Sequence, residues 1–271
     1  MAGRDRISNL PPDILDKIVG YLPVVEAARL AVLSSIFRDT WFNLKQLKFD
    51  YDFDAHIQMK YPEENPEFTW DTGGFNIANK VLIQHRGPIH NFLLHFLGVH
   101  SKVPIAVLFS FLDQWFLILT QKGVEEMEFQ IYSAHMFKLP NCTYTCSTLK
   151  ILRLSGVIVK PINTRFIFPN VTSLVFECVY FYDENLSDCG VNVPMLENLS
   201  FEKCTNMSCF NITAPRLQSL SVTDGRNNKL GSFLPVNLDF KSISTLSLND
   251  NCLKILLYKL LEGENKYNRP H

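Results

Sequence analysis

One apolar template recurs six times down the chain and constrains everything else about it. The template reads apolar-x-x-apolar-x-apolar. It appears as Val124, Met127 and Phe129, as Leu149, Leu152 and Leu154, and as Val171, Leu174 and Phe176. It returns as Leu196, Leu199 and Phe201, as Leu217, Leu220 and Val222, and as Ile243, Leu246 and Leu248. The middle residues step by 25, 22, 25, 21 and 26. Within each copy the last two apolar residues are two apart, which is the period of a strand with one buried face. A single short strand cannot bury that face alone, so successive copies must stack side by side as a parallel sheet. Pro169, Pro194 and Pro215 each stand two residues before a copy begins, where they would break a preceding helix.

A step of this size is that of a leucine-rich repeat, whose units run about 20–29 residues. Two copies also place a thiol or amide three residues after the last apolar position, at Cys204 and Asn251. The expected fold class is α/β (α+β overall): an irregular leucine-rich-repeat solenoid with a curved parallel sheet over 124–252, the returning segments on its convex side. A mixed domain built on one sheet is the competing architecture. Alternation turns the intervening residues outward, to where a target protein would be met. These are Arg153, Ser155, Val175, Glu177, Ser200, Glu202, Ser221, Thr223, Ser247 and Asn249.

Residues 51–123 are less regular and read as an irregular N-terminal repeat region. Ile89, Phe92 and Leu94 suggest an early strand, 103–109 another, and 113–122 the helix after it. The longest apolar run, 103–119, contains Pro104, Asp113 and Gln114, so it reads as buried strand plus helix rather than a membrane span. Residues 60–67 are polar with two prolines and read as an exposed loop. Asp50, Asp52 and Asp54 alternate, as one side of a strand or as a solvated acidic turn. Residues 253–271 form a C-terminal tail.

The start of the chain has a different pattern. Pro11 and Pro12 suit a helix entry, and Ile14, Leu15, Ile18, Val19 and Leu22 then recur at helical spacing until Pro23. A second helix fits 24–33, and a third fits 36–44 with Ser34 or Ser35 as its cap. Three helices in about forty residues make too small a core to be self-sufficient. Apolar surface left over on such a module marks docking to a partner or to the next domain.

These residues carry a resemblance. Leu10-Pro11-Pro12-Asp13-Ile14-Leu15, Ile18, Tyr21-Leu22-Pro23, Glu26-Ala27-Ala28-Arg29, Val32-Leu33-Ser34, Arg38 and Trp41 resemble an F-box, here over 5–50. Leu47-Lys48-Phe49-Asp50 is similar to the segment that follows it in plant F-box proteins with leucine-rich repeats. So is Phe111-Leu112-Asp113-Gln114-Trp115 with Lys122-Gly123-Val124. The chain departs from the pattern at Pro12-Asp13, where many members have Asp-Glu. It departs again at Ser35-Ile36-Phe37, where many have a basic pair and Trp. The resemblance implies a three-helix module that docks on a Skp-type adaptor and, through it, on a cullin. Leu10, Pro11, Ile14, Leu15, Ile18 and Leu22 would face the adaptor or support that face, together with Leu33 and Trp41. Members often continue into a C-terminal domain called FBD; no complete FBD is expected before His271.

Other function classes find little support. The formal net charge is −1, without the basic excess that a nucleic-acid partner demands. Seven cysteines without an apolar leader suggest reduced thiols in the cytoplasm, the nucleus or both. Their spacings do not make a zinc site. Neither a nucleophile elbow, a phosphate loop nor a dinucleotide fingerprint is present, so no cofactor and no catalytic residue is expected. The expected function is target recognition for a cullin–RING (SCF-type) ubiquitin ligase, by a non-catalytic subunit that touches neither nucleic acid nor membrane. A repeat scaffold that binds a protein partner without any ligase is the alternative.

Overall fold

The computed structural model describes residues 7, 10–60, 70–97, 104–132, 135–160, 167–182, 191–207, 212–223 and 243–249. The chain divides into two compact units, Met1–His135 and Met136–His271.

The first unit opens with three helices. Pro11 and Pro12 start α1 (Pro12–Gly20), and Leu15 and Val19 form its buried stripe. Pro23 precedes α2 (Val24–Leu33), which buries Val24, Ala27 and Ala31. Ser34 separates α2 from α3 (Ser35–Phe42), and its Oγ accepts the N–H of Phe37 at 3.3 Å. A serine cap of this kind is worth about 1 kcal/mol. Both α1 and α2 pack on α3.

The chain then runs through β1 (Gln46–Phe49), α4 (Tyr51–Lys60), α5 (Trp70–Gln84), β2 (Asn91–Leu97), α6 (Ile105–Gln121) and β3 (Glu126–Tyr132). The three strands are parallel, with Leu47 beside Phe92 beside Met127 and Phe49 beside Leu94 beside Phe129. Two further copies of the template thus lie upstream of the six. Leu44, Leu47 and Phe49 form one; Ile89, Phe92 and Leu94 form the other; all six residues are buried. Aromatic rings fill the space behind the sheet: Phe116 stacks on Phe129 at 4.2 Å and Phe75 on Trp115 at 5.1 Å.

Two expectations for this region fail. Residues 105–109, expected as strand, are the first turns of α6, started by Pro104. An unbroken apolar run has no periodicity to separate the two states. The acidic triplet is neither strand nor free turn. Asp50 Oδ1 accepts the N–H of Phe53 at 3.1 Å, and Asp52 and Asp54 stand in the first turn of α4, where the helix dipole favours anions. No helix among the described residues is long and apolar enough to cross a membrane. Of the loop expected at 60–67, Lys60 ends α4, and 61–67 lie outside the described residues, as do Asn251 and the tail 253–271.

The second unit is solenoid-like. Its elements are β4 (Phe137–Lys138), α7 (Asn141–Tyr144), β5 (Ile151–Ser155), β6 (Val157–Val159), β7 (Ser173–Glu177), β8 (Tyr180–Phe181), β9 (Val191–Asn192), β10 (Asn198–Glu202), β11 (Ile212–Thr213), β12 (Ser219–Thr223) and β13 (Thr245–Leu248). They form three parallel ladders: β5-β7-β10-β12-β13, β4-β6-β8 and β9-β11. Leu152, Leu174, Leu199, Leu220 and Leu246 share one rung of the main ladder. The prolines at 194 and 215 do not end helices. Each follows a short strand, β9 or β11, because these returning segments pair with one another as strands.

A repeated turn closes each main strand. Gly156, Cys178 and Lys203 follow β5, β7 and β10 with φ of 72°, 49° and 51°. Their N–H groups extend the ladder, to the carbonyls of Glu177 at 3.2 Å, Glu202 at 2.8 Å and Thr223 at 2.8 Å. The left-handed conformation is free for glycine and costs other residues about 1–2 kcal/mol. Beyond the turn, Cys204 Sγ donates to the Phe176 carbonyl of the neighbouring repeat at 3.2 Å. Burial pushes its thiol up to about 12, so it stays protonated as a structural donor.

Candidate docking surfaces

The helical start exposes an apolar set that its own core does not use. Ile14 and Ile18 lie four apart on α1 and are 41% and 42% exposed. Val32 and Leu33, at the end of α2, are 78% and 74% exposed. Tyr21 and Ile36 are also exposed, as is Ile7. Half of the fourteen exposed large apolar residues therefore lie within residues 7–36, which makes this start the stickiest part of the described surface.

The residues expected to meet an adaptor divide by burial. Pro11, Ile14, Ile18 and Leu33 are exposed, while Leu10, Leu22 and Trp41 are half-buried. Leu15 is buried and holds α1 in place from behind. The sequence pattern includes Tyr21, Val32 and Ile36 but does not assign them to the adaptor face. Their exposure follows from packing, because Ala27 and Ala31 take the inward face of α2 and leave Val32 outside.

This surface rests on a firm base. The N–H groups of Arg86 and Gly87 donate to the Phe42 carbonyl at 2.7 and 3.3 Å. Gly87 allows this close approach: a Cβ would stand 3.1 Å from Asn43 Cα, so Asn43 would have to give by a few tenths of an ångström. The Arg86 guanidinium lies 4.7 Å from the centre of the Phe42 ring. Gln46 Nε2 donates to the Gly20 carbonyl at 2.8 Å, tying β1 to the end of α1.

The strands offer a second surface. In the second unit Arg153, Val175, Ser200, Ser221 and Ser247 stand in one row across the main ladder. Arg153 and Ser247 are exposed, the others half-buried. The next row holds Glu177, Glu202 and Thr223 beside Ser155, and the N–H of Asn249 continues it to the Val222 carbonyl at 3.4 Å. Glu177 and Glu202 are direct neighbours, an unfavourable pairing of like charges that Lys203 Nζ offsets at 2.8 Å from Glu202. Ser155 does not fit its expected role. It is 2% exposed, on the last rung before Gly156 turns the chain. Alternation sets the direction of a side chain but not whether that side is open.

In the first unit the corresponding face carries a network that sequence reasoning missed. His95 Nε2 meets Glu128 Oε1 at 3.0 Å, and Gln130 Nε2 donates to the same oxygen at 2.9 Å. Tyr51 Oη donates to Gln130 Oε1 at 3.3 Å, and its ring lies 4.9 Å from that of His95. Asn91 Nδ2 donates to Glu126 Oε2 at 2.9 Å. The alternation that marked Arg153 also marks Glu128 and Gln130 in the first template.

Comparisons with known proteins fit this division. The F-box domain model matches residues 7–49. A family model described as FBD-associated F-box protein At5g56370, LRR repeats, matches residues 112–237. Among similar proteins of Arabidopsis thaliana, FBD-associated F-box protein At4g10400 is 26% identical over 97% of this chain and 61% of its own length. F-box/FBD/LRR-repeat protein At1g13570 is 28% identical over 80% of this chain and 48% of its own length. F-box protein At4g09920 is 27% identical over 80% of this chain and 65% of its own length. The chain thus spans about half to two-thirds of these relatives. The chain is thus similar to an F-box over 7–49 and to F-box-associated leucine-rich repeats over 112–237, and the Arabidopsis relatives it matches include F-box/FBD/LRR-repeat proteins.

Proposed function

We propose that this chain is a substrate-recognition subunit of a cullin–RING (SCF-type) ubiquitin ligase. Its F-box docks on a Skp-type adaptor and its strands hold a target protein. F-box proteins with leucine-rich repeats are generally non-catalytic adaptors, and the task assigned here is proximity: a tethered target meets the ubiquitin-charged enzyme at high effective concentration. The observation that carries the reading is the exposed apolar set on α1 and α2, inside the segment that matches the F-box. Leu10, Pro11, Ile14, Ile18, Leu22, Leu33 and Trp41 are assigned to the adaptor contact, with Leu15 behind them. The outward strand residues other than Ser155 are assigned to the target. The cytoplasm, the nucleus or both is the proposed place of action.

The test is a pull-down of the full chain with a purified plant Skp-type adaptor, beside the variant Ile14→Lys with Ile18→Lys. Both positions are exposed, so the variant should keep its fold. Capture by the wild type and its loss in the variant support the reading. A folded wild type that captures no adaptor would leave the repeat scaffold without a ligase as the better account.

A further inference from the structure

A groove of about 450 Å³ opens in the first unit between α1 and α3. The buried Leu15 lines it together with Pro12 and Ile36, and Ile36 is 39% exposed. Asp13 stands on the α1 side and Asp39 on the α3 side, both exposed. A third carboxylate, Asp16, is offset by Lys45 Nζ at 3.4 Å. Asp13 and Asp39 have no such partner among the described residues. Asn43 Nδ2 donates to the Asp39 backbone carbonyl at 2.7 Å, which leaves the carboxylate's charge in place. Helix α3 brings no cation of its own: its first turn is Ser35-Ile36-Phe37, and Arg38 does not line the groove. Three carboxylates thus face one ammonium, an excess of two negative charges.

With about 3.6 residues per turn, Asp13 and Asp16 fall on one side of the buried stripe of Leu15 and Val19, and Ile14 and Ile18 on the other. The groove therefore lies on the flank of α1 away from the adaptor contact and shares with it only the buried Leu15. Two unpaired carboxylates on two helices, over an apolar floor, select an occupant. The charge calls for a cation, and the floor for an aliphatic stem. Arginine has both. Its planar guanidinium carries five donors, enough for two carboxylates, where a lysine ammonium is a point charge. We propose that the groove receives an arginine side chain from a second protein partner. The stem lies over Leu15 and Ile36, and the guanidinium is shared by Asp13 and Asp39.

The nonapeptide Gly-Ser-Ala-Leu-Arg-Leu-Ala-Ser-Gly, blocked at both ends, serves as the probe of the full chain, followed by the protein's amide NMR signals. Saturable shifts are expected at Thr40 and Asn43, which line the groove. Binding should weaken as salt rises, because both carboxylates are exposed. The same peptide with citrulline for arginine keeps the shape without the charge and should bind about tenfold more weakly. Asp13→Asn with Asp39→Asn should weaken the arginine peptide by a similar factor, whereas Asp52→Asn, outside the groove on α4, should not. Ile36→Arg supplies a guanidinium from within the chain and should abolish binding. All four altered positions are exposed, so the variants should keep their fold, which circular dichroism checks. Absence of saturable binding overturns the proposal. So does citrulline binding of equal strength, an affinity that the double asparagine variant leaves intact, or binding that survives Ile36→Arg.

Discussion

Leu220 and Leu246 occupy the same rung of the same ladder, yet their truncation should have very different consequences. Leu220 is 0% exposed between β10 and β13, whereas Leu246, on the last described strand, is 46% exposed. Leu220→Ala removes a fully buried side chain and leaves a cavity between two rungs that cannot collapse freely. Losses of about 2–5 kcal/mol are usual for such a change. Leu246→Ala forfeits only about half of a leucine's transfer free energy and opens no closed cavity, so about 1 kcal/mol is expected. Urea titrations of the two variants beside the wild type, read by far-UV circular dichroism, give both differences directly. Hydrogen exchange adds a second reading, with β13 exchanging well before β10. The reasoning fails if Leu246→Ala costs as much as Leu220→Ala, because the ladder's end would then be as well packed as its middle.

Three further outcomes are expected. Phe49→Ala removes a ring 5.1 Å from Phe53 and 5.9 Å from Phe92, and should cost about 3–5 kcal/mol in the same titration; under 1 kcal/mol would mean that β1 is not integral to the sheet. Lys203→Gly should relieve the left-handed strain for a net gain of up to about 1 kcal/mol, and Gly156→Ala should lose about the same amount, both read as shifts in urea midpoint. Burial, aided by the Lys122 ammonium, lowers the His85 imidazole to about 4, so the fold keeps it neutral while the unfolded chain protonates near 6.5. Stability should be full above pH 6.5 and fall towards pH 4 by up to roughly 3 kcal/mol; His85→Gln should flatten that slope, and a variant as pH-sensitive as the wild type would refute the assignment.

Much of this architecture was legible in the sequence, for identifiable reasons. Proline punctuation placed α2 between Pro23 and Ser34, and five of the six templates bury all three apolar residues because strand alternation leaves no other choice. Three failures are equally physical. Helix α5 carries Gly73 and Gly74 near its start, and glycine inside a helical stretch hides the periodicity that would announce it. The start of α6 lies in a run too uniformly apolar to show any period. The copy at Leu44, Leu47 and Phe49 is concealed because Leu44 also completes the third helical stripe. The candidate docking surfaces were readable in part: Ile14 and Ile18 follow from spacing on α1, but the openness of Val32 and the closure of Ser155 depend on what neighbouring elements cover.

The place where β1 begins has a mechanical consequence. Only Asn43, Leu44 and Lys45 separate the end of α3 from a strand already paired with β2, and the Lys45 carbonyl accepts the N–H groups of both His90 and Asn91. No hinge fits in so short a span. A body gripped by its first helices would carry the β2–β3 face as a bracket carries a shelf, at a fixed angle and without the slack of a flexible tether. Reach would then be set by geometry rather than by chain statistics. Lengthening the 43–45 segment by a few glycines would convert that bracket into a swivel, at the cost of the rungs that now hold it.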